Sequence, residues 1–309
     1  MTERVDVDKS WKLLRDDIDV AMEGHEGPME TAVPGMVFYR YTKQYPSHTS
    51  FLRPRVVVVP QGKKYLRVGD KEYMYGSRLC LVTGIDMPVV SCVAEATEDK
   101  PYLALSLDID AVLIADLSAK TSSVGGGLRS VCGAQVTEIS PELLDAFVRL
   151  EELTRTPDEL PVMSPILVRE VHYRLLKSPF GQLLRSLSAF GSPGSQIAQA
   201  VGWLRKNFRN PVTIEELSLL CHMAPSTFHR YFKEVTTLSP LQYQKRLRLE
   251  EARRLLLNGS SVTESAYAVG YESVTQFSRE YKRLFGDSPK NSVLRLNGMV
   301  RGKQEKNKN

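Results

Sequence analysis

The sequence has few of the residues that build metal or redox centres. Only five histidines and four cysteines occur in 309 residues. The cysteines share no Cys-x-x-Cys spacing, which disfavours a zinc site or a thioredoxin-like redox motif; they are Cys80, Cys92, Cys132 and Cys221. A chain of this length does not need disulfide bonds to hold its core together. We therefore expect reduced thiols, no metal and no cofactor.

Motifs of common enzymes are also missing. Residues 1–194 contain three histidines, His25, His48 and His172, with no paired spacing. A metal-dependent cupin enzyme would need a cluster of His and Glu ligands. The sequence has no Gly-x-Ser-x-Gly motif and no evident Cys/His pairing. We predict no catalytic residue, and a metal-dependent cupin enzyme is the weakest hypothesis retained.

Long apolar runs and a targeting segment are likewise absent. The longest aliphatic runs, such as Val56–Val59, are far shorter than the roughly 20 residues of a membrane-spanning helix. The opening residues Met1-Thr-Glu-Arg-Val-Asp carry mixed charge and do not resemble a signal peptide. We expect a cytoplasmic protein without a membrane partner.

Charge is distributed unevenly along the chain. Residues 195–309 contain 19 Lys and Arg against 10 Asp and Glu, whereas residues 1–194 contain 22 against 26. A basic module attached to a mildly acidic body is typical of proteins that bind a polyanion such as DNA. A solvated basic surface is the plain alternative on charge alone.

Between residues 33 and 110 the sequence predicts six or seven short strands. These segments are rich in β-branched and aromatic residues, and Gly, Pro and Asp turn signals separate them. They are residues 36–39, 55–59, 65–68, 72–75, 79–82, 89–93 and 102–107. Strands at this spacing favour a small antiparallel barrel or sandwich.

Helical patterns flank this region. The first predicted helix carries an apolar set consisting of Trp11, Leu14, Ile18, Val20 and Met22. Further helices are predicted at 111–119, 141–153 and 166–176. A Gly- and Ser-rich segment at 122–133 predicts a mobile loop, and prolines between 157 and 165 predict a break.

The last hundred residues contain one pattern twice. Phe-x-Arg-x-aromatic-Lys followed by Ser-Pro occurs at 228–240 and returns 49 positions later at 277–289. Each copy is preceded by a capping box, Thr213–Glu216 in copy one and Ser261–Glu264 in copy two, and these are 48 positions apart. The change of offset predicts one extra turn residue in copy two. The pattern therefore predicts two small helix-turn-helix units.

The second helix of each copy has an apolar face and a polar face. Core positions are Phe228, Phe232, Val235, Phe277, Tyr281 and Leu284. Polar side chains near the start of such a helix can reach base edges in the major groove. The predicted base-reading residues are Ser226, Thr227, His229 and Arg230 in copy one, and Val274, Thr275, Ser278 and Arg279 in copy two.

A helix predicted over Leu241–Leu257 joins the copies. At about 25 Å it can hold two readers in successive major grooves of double-stranded DNA, about 34 Å apart. Predicted contacts to the DNA backbone are Lys233, Lys245, Arg246 and Lys282.

These residues make the chain recognisable. Residues from about 196 to 296 resemble the AraC/XylS family of transcription regulators, through Phe228–Lys233, Ser239–Leu249, Ala252–Leu256 and Val269–Pro289. The front half resembles a sensor domain found in that family, through Leu52–Val56, Tyr75-Gly76, Ala94–Leu105 and Arg169–Leu176.

The resemblance implies an α+β protein with three parts. Residues 1–190 would form an effector-sensing, cupin-like antiparallel β-barrel domain with a helical C-terminal part. Residues 191–296 would form an all-α DNA-binding domain with two helix-turn-helix units on a linker helix, and 297–309 a basic disordered tail. The implied function is an activator that binds promoter DNA, RNA polymerase and an unknown small effector, as a monomer or homodimer.

Copy one departs from the family pattern at three positions. His222 replaces the usual turn Gly, Ala224 replaces the usual Ser cap, and Thr237 stands where copy two keeps Gly286. His tolerates a left-handed backbone better than most residues, so the turn should still form. We predict that copy one is locally less stable, that it supplies more of the sequence discrimination, and that copy two holds its place more firmly.

Two features of the front half have competing interpretations. Cys80 and Cys92 lie on successive predicted strands and could form a thiol switch or contact an effector, or they are small buried hydrophobes. An aromatic set could line a pocket or fill the barrel core; it consists of Phe38, Tyr39, Tyr41, Tyr65, Tyr73, Tyr75 and Tyr102. An alternative to effector sensing is a regulator controlled only by its abundance, with a purely structural N-terminal domain.

Overall fold

A computed structural model describes residues 6–121 and 132–292. The described residues divide into two units. The first runs to Ala198 and includes Glu234–Thr237, and the second comprises Gln199–Lys233 and the described residues from Leu238 onward. The predicted domain boundary at 190/191 lies just before the helix that begins at Pro193. Most of the predicted loop at 122–133 and the predicted tail at 297–309 lie outside the described residues.

The first unit contains two antiparallel sheets. Strands are β1 Gly27–Glu30, β2 Met36–Tyr41, β3 Tyr45–Leu52, β4 Arg55–Gln61, β5 Lys63–Val68, β6 Lys71–Gly76, β7 Leu79–Thr83, β8 Met87–Glu95, β9 Tyr102–Asp108 and β10 Ala134–Glu138. One sheet has the order β1-β2-β9-β4-β7-β10, and the other has the order β3-β8-β5-β6. All paired strands are antiparallel.

Burial explains the two kinds of strand sequence. On β4 the residues Val56–Val59 are all buried, because β9 and β7 flank the strand and α1 packs on it. On β5 burial alternates at the inner positions, with Leu66 and Val68 buried and Arg67 exposed between them. A strand that is covered on both faces has a continuous run of apolar residues, whereas a strand with one solvated face alternates apolar and polar residues.

Each predicted strand segment lies within an observed strand, but three strands were not predicted. β3 contains Pro46, Ser47 and His48, so it lacks the β-branched run of a typical strand. It forms because it pairs with β8 at Tyr45 and again over His48–Leu52, with an irregularity in between. β1 and β10 are edge strands of four and five residues, too short to show a clear period.

Helices of the first unit are α1 Val7–Ala21, α2 Ala111–Lys120, α3 Pro141–Glu152, α4 Leu160–Lys177 and α5 Gly181–Ser188. In α1 the predicted apolar set is buried except for Val20, which is exposed. The predicted break at 157–165 is wrong over its second half, because α4 begins at Leu160 and runs through Pro165. Pro165 removes one backbone N–H near the start of an 18-residue helix, which the rest of the helix tolerates.

The remaining helices are α6 Pro193–Asn207, α7 Ile214–Leu220, α8 Pro225–Thr236, α9 Pro240–Leu257, α10 Val262–Ala268 and α11 Val274–Phe285. Antiparallel sheets followed by helices confirm the predicted α+β class. Within the described ranges, no helix has both the length and the apolar character needed to cross a membrane.

Candidate nucleic-acid interface

The two helix-turn-helix copies have the same helix lengths. The first helix of each copy, α7 and α10, has seven residues, and the second, α8 and α11, has twelve. Residues 221–224 separate the helices of copy one, and residues 269–273 separate those of copy two. The predicted extra turn residue in copy two is therefore confirmed.

Both predicted capping boxes form. Thr213 Oγ1 accepts a hydrogen bond from the Glu216 backbone N–H at 3.2 Å, and Glu216 Oε2 accepts one from the Thr213 N–H at 2.8 Å. Ser261 and Glu264 make the same pair of hydrogen bonds at 3.2 and 2.9 Å. These bonds satisfy amide groups that the first helical turn leaves without intrahelical partners, so each copy starts at a defined residue.

Both first helices end in the same left-handed turn. In copy one, the Met223 N–H bonds to Ser218 O at 2.9 Å and the His222 N–H bonds to Leu219 O at 3.0 Å. In copy two, Tyr271 and Gly270 make the equivalent bonds, both at 3.0 Å. This pair of bonds is the Schellman motif, which needs a left-handed residue just after the helix.

The left-handed residue of each Schellman motif is His222 in copy one and Gly270 in copy two, with φ of 51° and 88°. The predicted left-handed conformation of His222 is confirmed. Thr237 also has a positive φ of 67°, at the position that Gly286 fills in copy two with a φ of 80°. A β-branched residue rarely adopts this conformation. Copy one therefore holds two strained backbone positions where copy two has glycine.

The second helices bury the predicted aromatic positions. Phe228, Phe232, Phe277 and Tyr281 are fully buried. Phe232 lies edge-on to the Tyr243 ring of α9, with ring centroids 5.5 Å apart. Burying one face of α8 and α11 leaves the opposite face of each helix available to a partner.

Most predicted base-reading residues lie on that opposite face. Ser226, His229, Arg230, Thr275 and Arg279 are exposed, and Thr227 and Ser278 are half-buried. Val274 is also half-buried and packs against the core of copy two, so part of its surface is taken up by its own domain. Base contacts by all eight residues stay predictions.

Two arginines on this face have no carboxylate partner among the described residues. Neither Arg230 nor Arg279 forms an ion pair or hydrogen bond with another described residue. The Arg230 guanidinium lies 4.8 Å from the centroid of the neighbouring Tyr231 ring. Lys233 and Lys282, on the same helices, are exposed and equally unpaired among the described residues. Four cations are therefore available to phosphates or base edges.

Two cations of α9, unlike those of α8 and α11, lie beside carboxylates. Lys245 Nζ lies 2.9 Å from Glu280 Oε1, and Arg246 Nε lies 3.5 Å from Glu250 Oε1. The Arg246 side chain is only 15% exposed. Burial raises the pKa of Glu250 to about 7, against the opposing effect of Arg246 and Arg253. Of the four predicted contacts to the DNA backbone, Lys245 and Arg246 are therefore less available to phosphates than Lys233 and Lys282.

Arg248 of α9 has a structural role that the sequence did not reveal. Its Nε, Nη1 and Nη2 donate to the carbonyl oxygens of Phe208, Gly270 and Arg209 at 2.7, 2.9 and 3.0 Å. Gln244, one turn earlier, donates to Phe208 O at 3.1 Å and to Asn210 O at 2.6 Å. One face of α9 thereby fixes the segment after α6 and the turn of copy two. The one signal of this role in the sequence is the spacing of Gln244 and Arg248, because residues four apart lie on the same face of a helix.

Glu280 ties α11 to the same helix. Burial alone would raise its pKa, but hydrogen bonds from Lys245, Tyr271 and Gln276 outweigh burial and hold the pKa below its usual range. The Tyr271 hydroxyl donates to Glu280 Oε2 at 2.8 Å. Glu280 therefore accepts from the linker helix, the turn and its own helix at once.

The first unit contains a cavity of about 250 Å³ between its sheets. Tyr39, Tyr41, Tyr75 and Tyr102 of the predicted aromatic set line it. Tyr65 and Tyr73 are not among its lining residues, and Phe38 is part of the buried core. Both interpretations of the aromatic set therefore hold for different members. The cavity is also lined by Arg55, Lys64 and His48. The strand pattern in the sequence did not predict that these residues line a cavity.

The thiol-switch hypothesis needed Cys80 and Cys92 on neighbouring strands. Cys80 lies on β7 in the six-stranded sheet, whereas Cys92 lies on β8 in the four-stranded sheet, so that premise is wrong. Burial raises the pKa of the Cys80 thiol far above its ordinary value, which suppresses its reactivity. Neither cysteine lines the cavity. The strand order, which the sequence does not reveal, separates the two.

Two family models match the chain. Residues 32–183 match the model described as "AraC-type transcriptional regulator N-terminus". Residues 217–293 match a model described as "Helix-turn-helix domain". The first match covers every described strand except β1, together with the cavity, and the second covers most of both helix-turn-helix copies.

Known relatives are transcription regulators. The activator RhaS of Pectobacterium carotovorum is 34% identical over 101 residues, which are 32% of this chain and 36% of RhaS. The uncharacterised regulator YisR of Bacillus subtilis is 30% identical over 145 residues, 46% of this chain and 48% of YisR. The chain thus spans about a third to a half of the length of these relatives.

Among solved structures, ToxT of Vibrio cholerae with a bound unsaturated fatty acid shares the fold, at a TM-score of 0.56 and 12% identity, over 86% of this chain and 96% of ToxT. Structural similarity at 12% sequence identity is evidence for a shared fold only. Because the sensor-type front part and the helix-turn-helix part are both matched, and the relatives are regulators of one kind, the chain belongs to the AraC family of transcriptional regulators.

Proposed function

We propose that the protein is a sequence-specific DNA-binding regulator that reads two major-groove sites through α8 and α11. The observation that carries this proposal is the pair of exposed arginines, Arg230 and Arg279, which form no ion pair or hydrogen bond with a described residue. A guanidinium at this place on a recognition helix suits guanine O6 and N7. The 18-residue α9 between the readers is about 27 Å long, which suits successive grooves about 34 Å apart.

Activation is the proposed direction of regulation. It is supported by the relationship to RhaS, which is named as a transcriptional activator. RNA polymerase is the partner that an activator needs, and the active species is proposed to be a monomer or a homodimer. The cavity in the first unit is the proposed effector site. The alternative, a regulator with a purely structural N-terminal domain, is disfavoured by that cavity, because a structural barrel would fill its interior with side chains.

The two arginines provide the test of the DNA-binding proposal. Arg230→Ala and Arg279→Ala should each weaken binding to a selected cognate site by about 1–3 kcal/mol and relax base preference at one position. Selection from a randomised duplex library with purified full-length protein, followed by titration, measures both effects. Arg254→Ala is the control, because Arg254 is an exposed arginine held by Glu251 on α9. Unchanged affinity and base preference in both reader variants would rule out this docking.

A further inference from the structure

The cavity between the sheets contains a cation without a counter-ion. Lys64 lies on β5 beside Leu66, at the alternate positions that face inward, and both line the cavity. No described carboxylate or hydrogen-bond acceptor contacts the Lys64 ammonium. Burial, and then the nearby Arg55, lower the pKa of Lys64 to about 8. The residue is half-buried, and an ammonium on a cavity wall without a partner among the described residues is costly to keep charged, so this position suits an anionic ligand.

Two further hydrogen-bond donors of the cavity wall have no partner among the described residues. The Tyr102 hydroxyl is buried and makes no hydrogen bond, and the residue is 1% exposed. The Arg55 Nε–H is also buried and unpaired. The other guanidinium nitrogens of Arg55 are engaged, with Nη1 donating to the Tyr39 hydroxyl at 2.8 Å and Nη2 to Asp108 at 2.9 Å.

The wall is rich in donors and has no acidic residue. Of the fifteen residues that line the cavity, none is Asp or Glu. Its apolar part is formed by Leu52, Val57, Leu66, Val89 and Val93. A carboxylate accepts up to four hydrogen bonds and donates none, so it matches such a wall. A neutral alcohol or sugar could accept hydrogen bonds from this wall, but it would leave the charge of Lys64 without a counter-ion.

Cavity size limits the rest of the ligand. A cavity of about 150 Å³ holds one benzene molecule, so 250 Å³ holds about ten non-hydrogen atoms. Long-chain fatty acids have about twice as many. The cavity is therefore too small for a ligand of that length unless the protein expands.

We propose that this cavity binds a compact organic monocarboxylate, with its carboxylate on Lys64 and Tyr102 and an apolar body of about seven carbon atoms against the valine and leucine side chains. The inference rests on the proposed effector site and specifies the chemical class of its ligand.

Calorimetric titration of the full-length protein without DNA tests the inference. Phenylacetate and octanoate serve as probes with an aromatic and a straight-chain body, each beside its neutral amide. We expect at least one of the two acids to bind, and its amide to bind at least tenfold more weakly. Lys64→Met, which keeps the stem and removes the charge, should weaken the acid about ten- to hundredfold, as expected for a charge-assisted hydrogen bond. Tyr102→Phe should weaken it several-fold.

Lys71→Met is the matched control, because Lys71 is an exposed lysine of β6 outside the cavity. It should leave acid binding unchanged. Without ligand, Lys64→Met should melt at the same or a higher temperature than the unmodified protein, because it removes an ammonium that has no partner among the described residues from the cavity wall. That measurement separates lost binding from lost folding.

Several results would overturn the inference. They are no binding of either acid, equal binding of acid and amide, an unchanged affinity in a folded Lys64→Met variant, or tighter binding of a long-chain acid such as palmitate than of octanoate. Because no DNA is present, these outcomes are independent of the arginine test. DNA binding that succeeds while acid binding fails would contradict the ligand class alone.

Discussion

At the scale of single residues, the two helix-turn-helix copies differ in how their recognition helices begin. Copy two starts α11 with Ser273, whose Oγ accepts from the Gln276 backbone N–H at 3.3 Å. Copy one has Ala224 at the equivalent position before Pro225, and alanine has no side-chain acceptor. His222, two residues earlier, already carries an unfavourable positive φ. The start of α8 thus lacks two local stabilising features that α11 has.

Restoring the cap should stabilise copy one. We expect Ala224→Ser to raise the free energy of opening of α8 by about 1 kcal/mol, because a serine at the N-cap satisfies an otherwise unpaired amide. Amide hydrogen exchange of α8 measures the change. Ser273→Ala is the mirror variant and should lower the protection of α11 by a similar amount. Equal and small effects in both variants would mean that neither start depends on its cap.

At the scale of elements, α9 is more than a spacer between two readers. Arg248 and Gln244 satisfy five carbonyl hydrogen bonds at positions 22 to 40 residues away in sequence. One of these bonds goes to the carbonyl of Gly270, in the turn of copy two. The same turn contains Tyr271, which bonds to Glu280 of α11. Position and orientation of α11 therefore depend on α9.

Arg248 offers a direct test of this dependence. Arg248→Lys keeps the charge but loses the planar fork that reaches three carbonyls. We expect it to lower the free energy of opening of α10 and α11 by about 1.5–3 kcal/mol, because the partly buried carbonyls of Phe208 and Gly270 lose charged donors. Hydrogen exchange resolved to these helices is the appropriate measurement, since a two-unit protein has no single unfolding free energy.

Arg254→Lys is the matched control on the same helix. Arg254 is exposed and, among the described residues, bonds only to Glu251 within α9. Exposed ion pairs contribute little, so protection of α10 and α11 should stay as it was. The same loss of protection in both variants would show a general effect of shortening an arginine rather than the loss of the carbonyl contacts.

At the scale of the whole molecule, net charge is a poor guide to DNA contacts. Among the four lysines and arginines predicted to touch the DNA backbone, Lys233 and Lys282 are unpaired with any described residue, whereas Lys245 and Arg246 have carboxylate partners. Only a cation that gains a phosphate without losing an internal partner contributes fully to the release of counter-ions. The electrostatic footprint should therefore be smaller than the charge of the C-terminal third suggests.

The salt dependence of DNA binding tests this point. Lys233→Gln and Lys282→Gln should each reduce the slope of log affinity against log salt by about 0.9, the value of one lost phosphate contact. Lys245→Gln should leave the slope nearly unchanged, because Glu280 already neutralises that charge. Titrations at several salt concentrations with one cognate duplex give all three slopes. An equal reduction for Lys245→Gln would mean that its ion pair opens on DNA.

Much of the fold was predictable because it rests on short-range signals. The apolar composition of the β4 and β9 segments predicts buried strands, and the capping boxes predict where α7 and α10 begin. The extra residue of the second turn was visible as a change of offset. β3 was missed because its polar residues become a strand only through pairing with β8, and α4 was shortened because Pro165 is tolerated near a helix start.

By itself, the sequence determined the α+β order of elements and the helix starts and turns, because each depends on residues within a few positions of one another. It also determined the duplication and the family, because a motif that returns 49 positions later is visible without a structure. The tertiary structure alone decided which cations are free, which tyrosines line a cavity, and that Cys80 and Cys92 lie in different sheets. Lys245 finds Glu280 35 residues away, and Arg248 finds Phe208 40 residues away. No local pattern encodes such partners, because they are chosen by the packing of elements that are distant in sequence.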